Sequence, residues 1–186
     1  MDFKSSISKL GVQKTSHYSG TIIFPSALST TVDTKELSMR INSLNLPGAN
    51  IQTDDIKHTG FGLSEKRPVQ LGYEDITFTI IADARGKIHN DLHKWIQLVF
   101  PTVSDENSSK DLEYFEYPNN YYGGLEIYLY DSTGKKHTTY TFIHPYIVSI
   151  GSSSLSWENT DSLVLIPVTF AYRSCNINTT YKGQSE

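Results

Sequence analysis

Hydrophobic and polar residues alternate over several short stretches of the chain, and this spacing predicts half-buried β-strands. In one such stretch Ile76, Phe78 and Ile80 lie on one side, and the threonines between them lie on the other. Leu125, Ile127 and Leu129 have the same spacing, which places Glu126 on the opposite face. Further strands are predicted over 17–24, 37–46, 137–150 (interrupted at Pro145) and 163–172. The chain is therefore predicted to be mainly β, with about six strands.

One segment instead has the period of an amphipathic helix. Asp83 precedes it as a predicted N-cap, and Pro101 prevents the helix from continuing. Because the helix has a single apolar side, we expect it to lie across a sheet with Trp95 buried. The predicted fold class is α+β, mainly β: an antiparallel β-sandwich or barrel with one flanking α-helix. The apolar stripe consists of Ile88, Leu92, Trp95, Ile96 and Val99.

The strand over 163–172 is nearly free of charge on both faces, and the polar turn 158–161 joins it to another predicted strand, over 152–157. A strand with two apolar faces must be covered on both sides, by its own chain or by a neighbouring chain. Pro167 within this strand indicates a sheet edge or a bulge. We therefore expect 163–172 to contribute to the core and to a contact between subunits.

Composition limits the classes of function. The chain has 186 residues, a net charge of −4 and one cysteine. A length of this order suits one domain, and the acidic balance gives no basic surface for stable nucleic-acid binding. No segment resembles a secretion signal, and none approaches the ~18 apolar residues of a membrane span. We expect a soluble protein that is made inside the cell and is not inserted into a membrane.

Two features could carry catalytic or metal chemistry. His89 and His93 are four residues apart on the predicted helix, but Asn90 stands where a zinc protease of the HExxH type has its glutamate. A surface or interface pair is therefore favoured over a metal site. Cys175 has no surrounding signature of a nucleophile, and a lone thiol of this kind is usually inert. We expect no catalytic residue, no cofactor and no metal.

A tyrosine-rich segment over 114–130 could stack on sugars or bases. Acidic residues surround it, which disfavours base binding, since single-strand binders combine aromatic residues with a basic groove. A sugar-binding surface at Tyr121 and Tyr122 remains an alternative to a subunit interface lined by tyrosine.

Three segments, in their order and spacing, resemble the tube proteins of contractile phage tails. The first is INSLNLPG (41–48), a strand that ends at a Pro-Gly turn before a charged loop. The second is LGYEDITFTIIADARGKIHNDLHKWI (71–96), a threonine-rich strand that leads into a helix with a tryptophan near its end. The third is VTFAYR (168–173), which follows FIHPYIVSIGSSSLSW (142–157). Together with what lies between them, they cover about residues 17–174.

The resemblance implies a subunit of the inner tail tube. Six subunits would form a ring, their inner sheets would join into one continuous β-barrel around a channel, and rings would stack. Residues 1–16 would be an N-terminal arm, 17–174 the β domain and 175–186 a C-terminal tail. Residues 49–70 would be a stacking hairpin or loop within that domain. VTFAYR is also similar to the branch that initiates the tube at the baseplate, so an initiator or adaptor ring is the alternative.

The resemblance also implies the partners. They are copies of the same chain in a homo-hexamer and in stacked rings, the tail sheath, and baseplate or tail-terminator proteins. Phage DNA would pass through the channel without stable binding, because a lumen lined by residues such as Glu126 or Thr77 repels phosphate. Leu125 and Ile127 would then face the core. The protein would be a virion component that is assembled in the cytoplasm of the host bacterium. A carbohydrate-binding β-sandwich is the more distant alternative.

Overall fold

The computed structural model describes residues 13–28, 33–57, 60, 63–101, 115–153, 155, 157 and 161–180. Ten strands and three helices are defined among these residues. The strands are β1 (Tyr18–Ile23), β2 (Ile41–Leu44), β3 (Ala49–Ile56), β4 (Glu65–Tyr73), β5 (Ile76–Ile81), β6 (Gly124–Tyr130), β7 (Lys136–Ile143), β8 (Tyr146–Ile150), β9 (Leu165–Ala171) and β10 (Ser174–Thr179). The helices are α1 (Thr34–Met39), α2 (Lys87–Val99) and α3 (Pro118–Tyr121).

The strands form two four-stranded sheets and a separate hairpin. The first sheet has the order β1-β6-β7-β10, the second has the order β2-β5-β9-β8, and β3 pairs with β4. All neighbouring strands are antiparallel. The predicted class, mainly antiparallel β with a flanking helix, is confirmed, although the described strands form open sheets rather than a closed barrel. The predicted number of strands was too low.

The core lies between the two sheets and follows the alternation in the sequence. Leu125 and Ile127 of β6 are buried, as are Phe78 of β5 and Phe170 of β9. The Phe78 and Phe170 rings meet edge to face with centroids 5.8 Å apart. The intervening residues of these strands face outward, which is why each strand reads as period two in the sequence.

Helix α2 is buried through Ile88, Leu92 and Trp95, as its apolar stripe predicted. The Trp95 ring packs against Phe24, which follows β1, and against Phe170 of β9, with centroids 5.5 Å apart in both cases. Its indole N–H donates a hydrogen bond of 2.9 Å to the carbonyl of Tyr121. Trp95 therefore joins the two sheets at the end of the sandwich.

The segment 37–46 is not a single strand, contrary to the prediction. It begins as helix α1, in which Leu37 is buried and the Ser38 hydroxyl donates to the Thr34 carbonyl over 2.8 Å. An ion pair of 3.3 Å joins Glu36 to Arg40 across one helical turn. Only after Arg40 does the chain become extended, in β2. A helix of one to two turns is too short for its period to be distinguished from alternation.

The segment 137–150 breaks at Pro145, as expected, and its two halves belong to different sheets. β7 lies in the first sheet and β8 in the second. His144 between them has a φ of 55°, a left-handed conformation that turns the chain sharply from one sheet to the other.

Pro167 does not mark a sheet edge, because β9 lies between β5 and β8. Its carbonyl accepts a hydrogen bond of 2.7 Å from the N–H of Gly151, which directly follows the last residue of β8. In antiparallel pairing the nitrogen and the carbonyl of one residue point to the same neighbouring strand. The Pro167 nitrogen, which carries no hydrogen, therefore faces the end of β8. The strand over 163–172 is thus internal, and its edges are not available to extend the sheet into a neighbouring subunit.

Other expectations concern the ends and loops of the chain. The first sheet extends into the range assigned to the C-terminal tail, since β10 runs from Ser174 to Thr179. Most of the N-terminal arm and of the turn over 158–161 lies outside the described residues, and the described residues of 152–157 do not form a strand, contrary to the prediction. Helix α3 was not predicted from the sequence.

The N-cap residue of helix α2 is Gly86 and not, as predicted, Asp83, but the Asp83 side chain reaches the first turn and caps it. Its two carboxylate oxygens accept hydrogen bonds from the N–H groups of Lys87 (2.9 Å) and Ile88 (3.0 Å). Burial raises the pKa of Asp83, but the hydrogen bonds from these N–H groups outweigh it, so the net pKa lies below the ordinary value of 3.8. The charged form is therefore the one that the folded protein stabilises.

Replacing Asp83 with alanine is expected to lower the free energy of unfolding by about 1 kcal/mol at neutral pH. Asp83→Asn should retain most of that stability, because asparagine caps helices almost as well. Since folding lowers the pKa of Asp83, its contribution is complete above 3.8 and is lost as the pH falls below that value. Denaturant unfolding at neutral and acidic pH measures this; a wild-type and an Asp83→Asn protein with the same acid dependence would contradict it.

Candidate assembly surfaces

The outward side of the first sheet carries two rows of aligned polar side chains. Strand register places Ser19, Tyr128, Thr139 and Asn178 in one row. It places Thr21, Glu126, Thr141 and Asn176 in the next. We refer to these eight residues as the polar face. Hydroxyl and amide groups make up nearly all of it, and Glu126 is its one carboxylate.

Glu126 is held by neighbouring side chains. The Tyr128 hydroxyl donates a hydrogen bond to its carboxylate. The ammonium group of Lys136 lies 3.5 Å from the centroid of the Tyr128 ring. The hydrogen bond to Glu126, together with burial, raises the pKa of Tyr128 to about 12. Tyr128 thus remains a neutral donor at neutral pH. Through its ring and its hydroxyl it links the Lys136 cation to the Glu126 carboxylate.

Strand β10 forms one open edge of the first sheet. The Thr180 N–H donates to the His137 carbonyl over 2.8 Å, which fixes the alternation of hydrogen-bonded pairs along β10 and β7. Asn176 and Asn178 therefore bond to β7, while the backbone groups of Cys175, Ile177 and Thr179 point away from the sheet. The strand contains neither proline nor a charged residue, which are the residues that usually prevent a sheet edge from pairing with another strand.

Strand β1 forms the other open edge. The Tyr130 N–H donates to the His17 carbonyl over 2.9 Å, so the backbone groups of Tyr18, Gly20 and Ile22 point away from β6. This strand, YSGTII, is also without charge or proline. Within the described part of the chain, neither edge strand of the first sheet carries proline or charge, although helix α1 packs beside β1. In the second sheet, α2 packs beside the edge strand β8, and the other edge strand, β2, is only four residues long.

A groove lies beside β1, between this strand and helix α1. Its volume is about 640 Å³, and its walls include Tyr18, Gly20 and Thr21 of β1 with Ser38 and Met39 of α1. Met39 is 86% exposed, which is unusual for so large an apolar side chain. The groove gives an incoming strand both backbone partners and an apolar wall.

The β3–β4 hairpin is exposed along most of its length. Ile51 lies opposite Leu71, and both are more than half exposed, as is Val69. Nearer the tip, two acidic residues lie opposite two basic ones: Asp54 opposite Arg67, and Asp55 opposite Lys66. Its apolar base and charged tip are typical of a surface that contacts another protein.

These surfaces agree with the comparison to known families. A family model described as phage tail tube protein matches residues 13–178. The chain belongs to the phage tail tube protein family. It is accordingly a structural tail tube subunit, and its family is not one of enzymes. No curated protein matches the chain.

Solved structures show that the tail tube fold is shared with contractile injection systems. The PVC sheath-tube complex of an extracellular contractile injection system overlaps with a TM-score of 0.63 at 16% identity, covering 97% of this chain and 100% of that chain. A chain of the anti-feeding prophage (AFP) baseplate gives 0.60 at 10% identity, with 91% and 98% covered. A chain of the AFP tube-terminating cap gives 0.60 at 16% identity, with 91% and 92% covered.

In this tail tube protein, Tyr121 and Tyr122 belong to an aromatic cluster. The Tyr122 ring stacks on His144 with centroids 4.6 Å apart, and Tyr121 meets the edge of Tyr146 at 5.6 Å. The rings pack on one another instead of forming a flat row, so the cluster does not offer the stacking platform of a sugar site.

The other two candidates from the sequence, the histidine pair on α2 and Cys175, do not form one site. His89 and His93 lie exposed on α2 with ring centroids 4.5 Å apart. Burial raises the pKa of the Cys175 thiol, which disfavours the reactive thiolate. Within the described part of the chain, no three side chains of His, Cys, Asp or Glu are grouped to hold a metal, and no helix is long and apolar enough to cross a membrane.

Sequence reasoning did not find the groove or the open edges. They depend on strand pairing between residues more than 100 positions apart, such as Ser19 and Tyr128. The absence of charge in YSGTII and SCNINT was the one local signal, and it becomes informative only once these strands are known to be edges.

Proposed function

We propose that this protein forms hexameric rings that stack into the tail tube, and that their channel conducts phage DNA. One observation carries the proposal: the first sheet has a polar outward face between two edge strands, β1 and β10, that contain no proline and no charged residue. A sheet edge invites association, and a closed ring of copies removes every edge at once. Pairing β10 of one copy with the groove beside β1 of the next would join the sheets into a continuous barrel.

The polar face is the side of the sheet that we assign to the channel. Leu125 and Ile127 point the other way and are buried in the core. Thr77, the other residue expected to line the channel, belongs to the second sheet, where its hydroxyl lies 3.3 Å from that of Thr169. The outward side of that sheet also carries Leu165 and Pro167, so it is less polar. Glu126 is therefore our candidate for the lumen, and Thr77 is not.

The composition of the polar face suits the passage of DNA. Tight binding to DNA requires several lysine or arginine contacts to phosphate. The face has none among its eight residues, and Lys136 beside it is held over Tyr128. DNA would then move through without being trapped, although the face is closer to neutral than the acidic lumen that the resemblance implied.

The exposed hairpin is our candidate for the contact between stacked rings. Its apolar base would be covered by the next ring, while the charged tip sets orientation. By similarity to the sheath-tube complex, the tube would also contact a sheath, and baseplate and terminator proteins would bound it. Assembly would take place in the cytoplasm of the host bacterium, before incorporation into the virion.

A tube initiator or adaptor ring is the alternative position in the same apparatus. The overlap with the AFP baseplate and cap chains is nearly as good as that with the PVC tube. Antibody labelling of intact particles separates the positions: labels along the whole tail indicate the main tube, and one label at an end indicates the alternative.

Purified protein at high concentration is expected to form rings, or tubes of stacked rings, in negative-stain micrographs. Light scattering coupled to size exclusion should give a mass of six chains for the ring. A species that stays monomeric at every concentration and salt condition would contradict the proposal. Rings with a number of subunits other than six would contradict the hexamer alone.

A further inference from the structure

His89 and His93 lie one helical turn apart on the exposed side of α2. Residues four apart on a helix point in the same direction, and here the two imidazole rings approach to 4.5 Å between centroids, inclined at 57°. The tube function uses neither ring, and neither belongs to the buried stripe of the helix.

The separation of the rings is close to that needed for both to bind one metal ion. Zinc binds imidazole nitrogen at about 2.0–2.1 Å, which places the metal about 3.2 Å from each ring centroid. Two such rings meeting the metal at a right angle would have centroids about 4.5 Å apart, and at a tetrahedral angle about 5.2 Å. The observed 4.5 Å equals the first value and is about 0.7 Å shorter than the tetrahedral one, so a tetrahedral ion requires the two exposed side chains to move apart slightly.

The surroundings leave room for the rest of a coordination shell. Both histidines line a groove of about 580 Å³ between α2 and the segment after β8, with Ile150 and Leu155 on its walls. Asp83 lines the same groove, but its carboxylate already caps the helix through Lys87 and Ile88, so it is not counted as a ligand. Water would therefore supply the remaining ligands.

We propose that His89 and His93 form a two-histidine binding site for a divalent transition-metal ion. Imidazole ligands suit Zn²⁺, Ni²⁺ and Cu²⁺, whereas Mg²⁺ and Ca²⁺ prefer oxygen ligands. The glutamate that makes such a helix catalytic is absent, since Asn90 follows His89. The site binds metal and crosslinks one helical turn, and it has no hydrolytic function.

Titration calorimetry with ZnCl₂, NiCl₂ and CuCl₂ on tag-free full-length protein tests the proposal. We expect one ion per chain, with no comparable heat from MgCl₂. His89→Ala and His93→Ala should each weaken binding at least about tenfold, because each removes one of the two protein ligands. Both positions are exposed, so these variants should keep the circular dichroism spectrum of the wild type.

Two further variants make the test specific. His137→Ala is the matched control: it removes a histidine from another part of the chain and should leave the affinity unchanged. His93→Cys should retain zinc binding, since a thiolate replaces the lost imidazole. Zinc should also raise the melting temperature of the wild type and not that of the double alanine variant. Absence of binding by the wild type, or equal affinity in the double variant, overturns the proposal.

Discussion

Replacing Trp95 with alanine is expected to lower the free energy of unfolding by about 3–5 kcal/mol. The side chain is fully buried and contacts Phe24 and Phe170, which belong to opposite sides of the sandwich. Gly123 lies against the indole ring and has no side chain that could fill the space that the indole leaves. The substitution also leaves the Tyr121 carbonyl without its donor.

Trp157→Ala is the matched control for this substitution. Trp157 is fully exposed, so its removal should change the free energy of unfolding by no more than about 0.5 kcal/mol. Trp95→Phe should fall between the two, because it keeps one ring in the core but loses the indole hydrogen bond and part of the packed volume. Denaturant unfolding followed by circular dichroism measures all three. If Trp95→Ala costs no more than Trp157→Ala, Trp95 does not join the sheets.

Elements whose side chains alternate between core and solvent were predictable from the sequence. β5 and β6 are examples, since every second residue of each is buried. Helix α2 was predictable for the corresponding reason, because thirteen residues are enough for a helical stripe to be distinguished from alternation. In both cases the pattern is local and burial follows it directly.

Elements that depend on distant parts of the chain were not predictable. Helix α1 has six residues, and its tertiary contacts with β1 decide its conformation. The position of Pro167 was misjudged because nothing nearby shows that β8 ends opposite its nitrogen. Alternation predicts that a strand has a buried face, but it does not say which strand lies beside it.

The candidate site shows the same division. Alternation in β6 was enough to place Glu126 opposite Leu125 and Ile127. It was not enough to separate Glu126 from Thr77, because both are outward residues of regular strands. Their separation came from sheet order, which puts β6 in the sheet whose edge strands carry no proline or charge and β5 inside the other sheet. The channel assignment is thus a consequence of topology as much as of side-chain chemistry.

Replacing Ile177 with proline is expected to abolish ring and tube assembly while leaving the monomer folded. The Ile177 N–H points to the open edge of β10, so proline removes a donor that only a neighbouring subunit would use. Ile177 is 59% exposed, and the bonds from Asn176 and Asn178 to β7 remain in place. If β10 pairs with β1 of the next copy, loss of that donor interrupts all six junctions of a ring.

Ile177→Ala separates the role of this backbone N–H from that of the side chain. Alanine, like proline, removes the isoleucine side chain, but it keeps the backbone N–H, so rings should still form. Asn176→Pro provides the opposite comparison: its N–H bonds to β7, and its loss should destabilise the monomer itself. Negative-stain microscopy and light scattering report assembly, and thermal unfolding of each variant reports the fold. If Ile177→Pro forms rings as readily as Ile177→Ala, the subunits do not join through the edge of β10, and the continuous barrel must be abandoned.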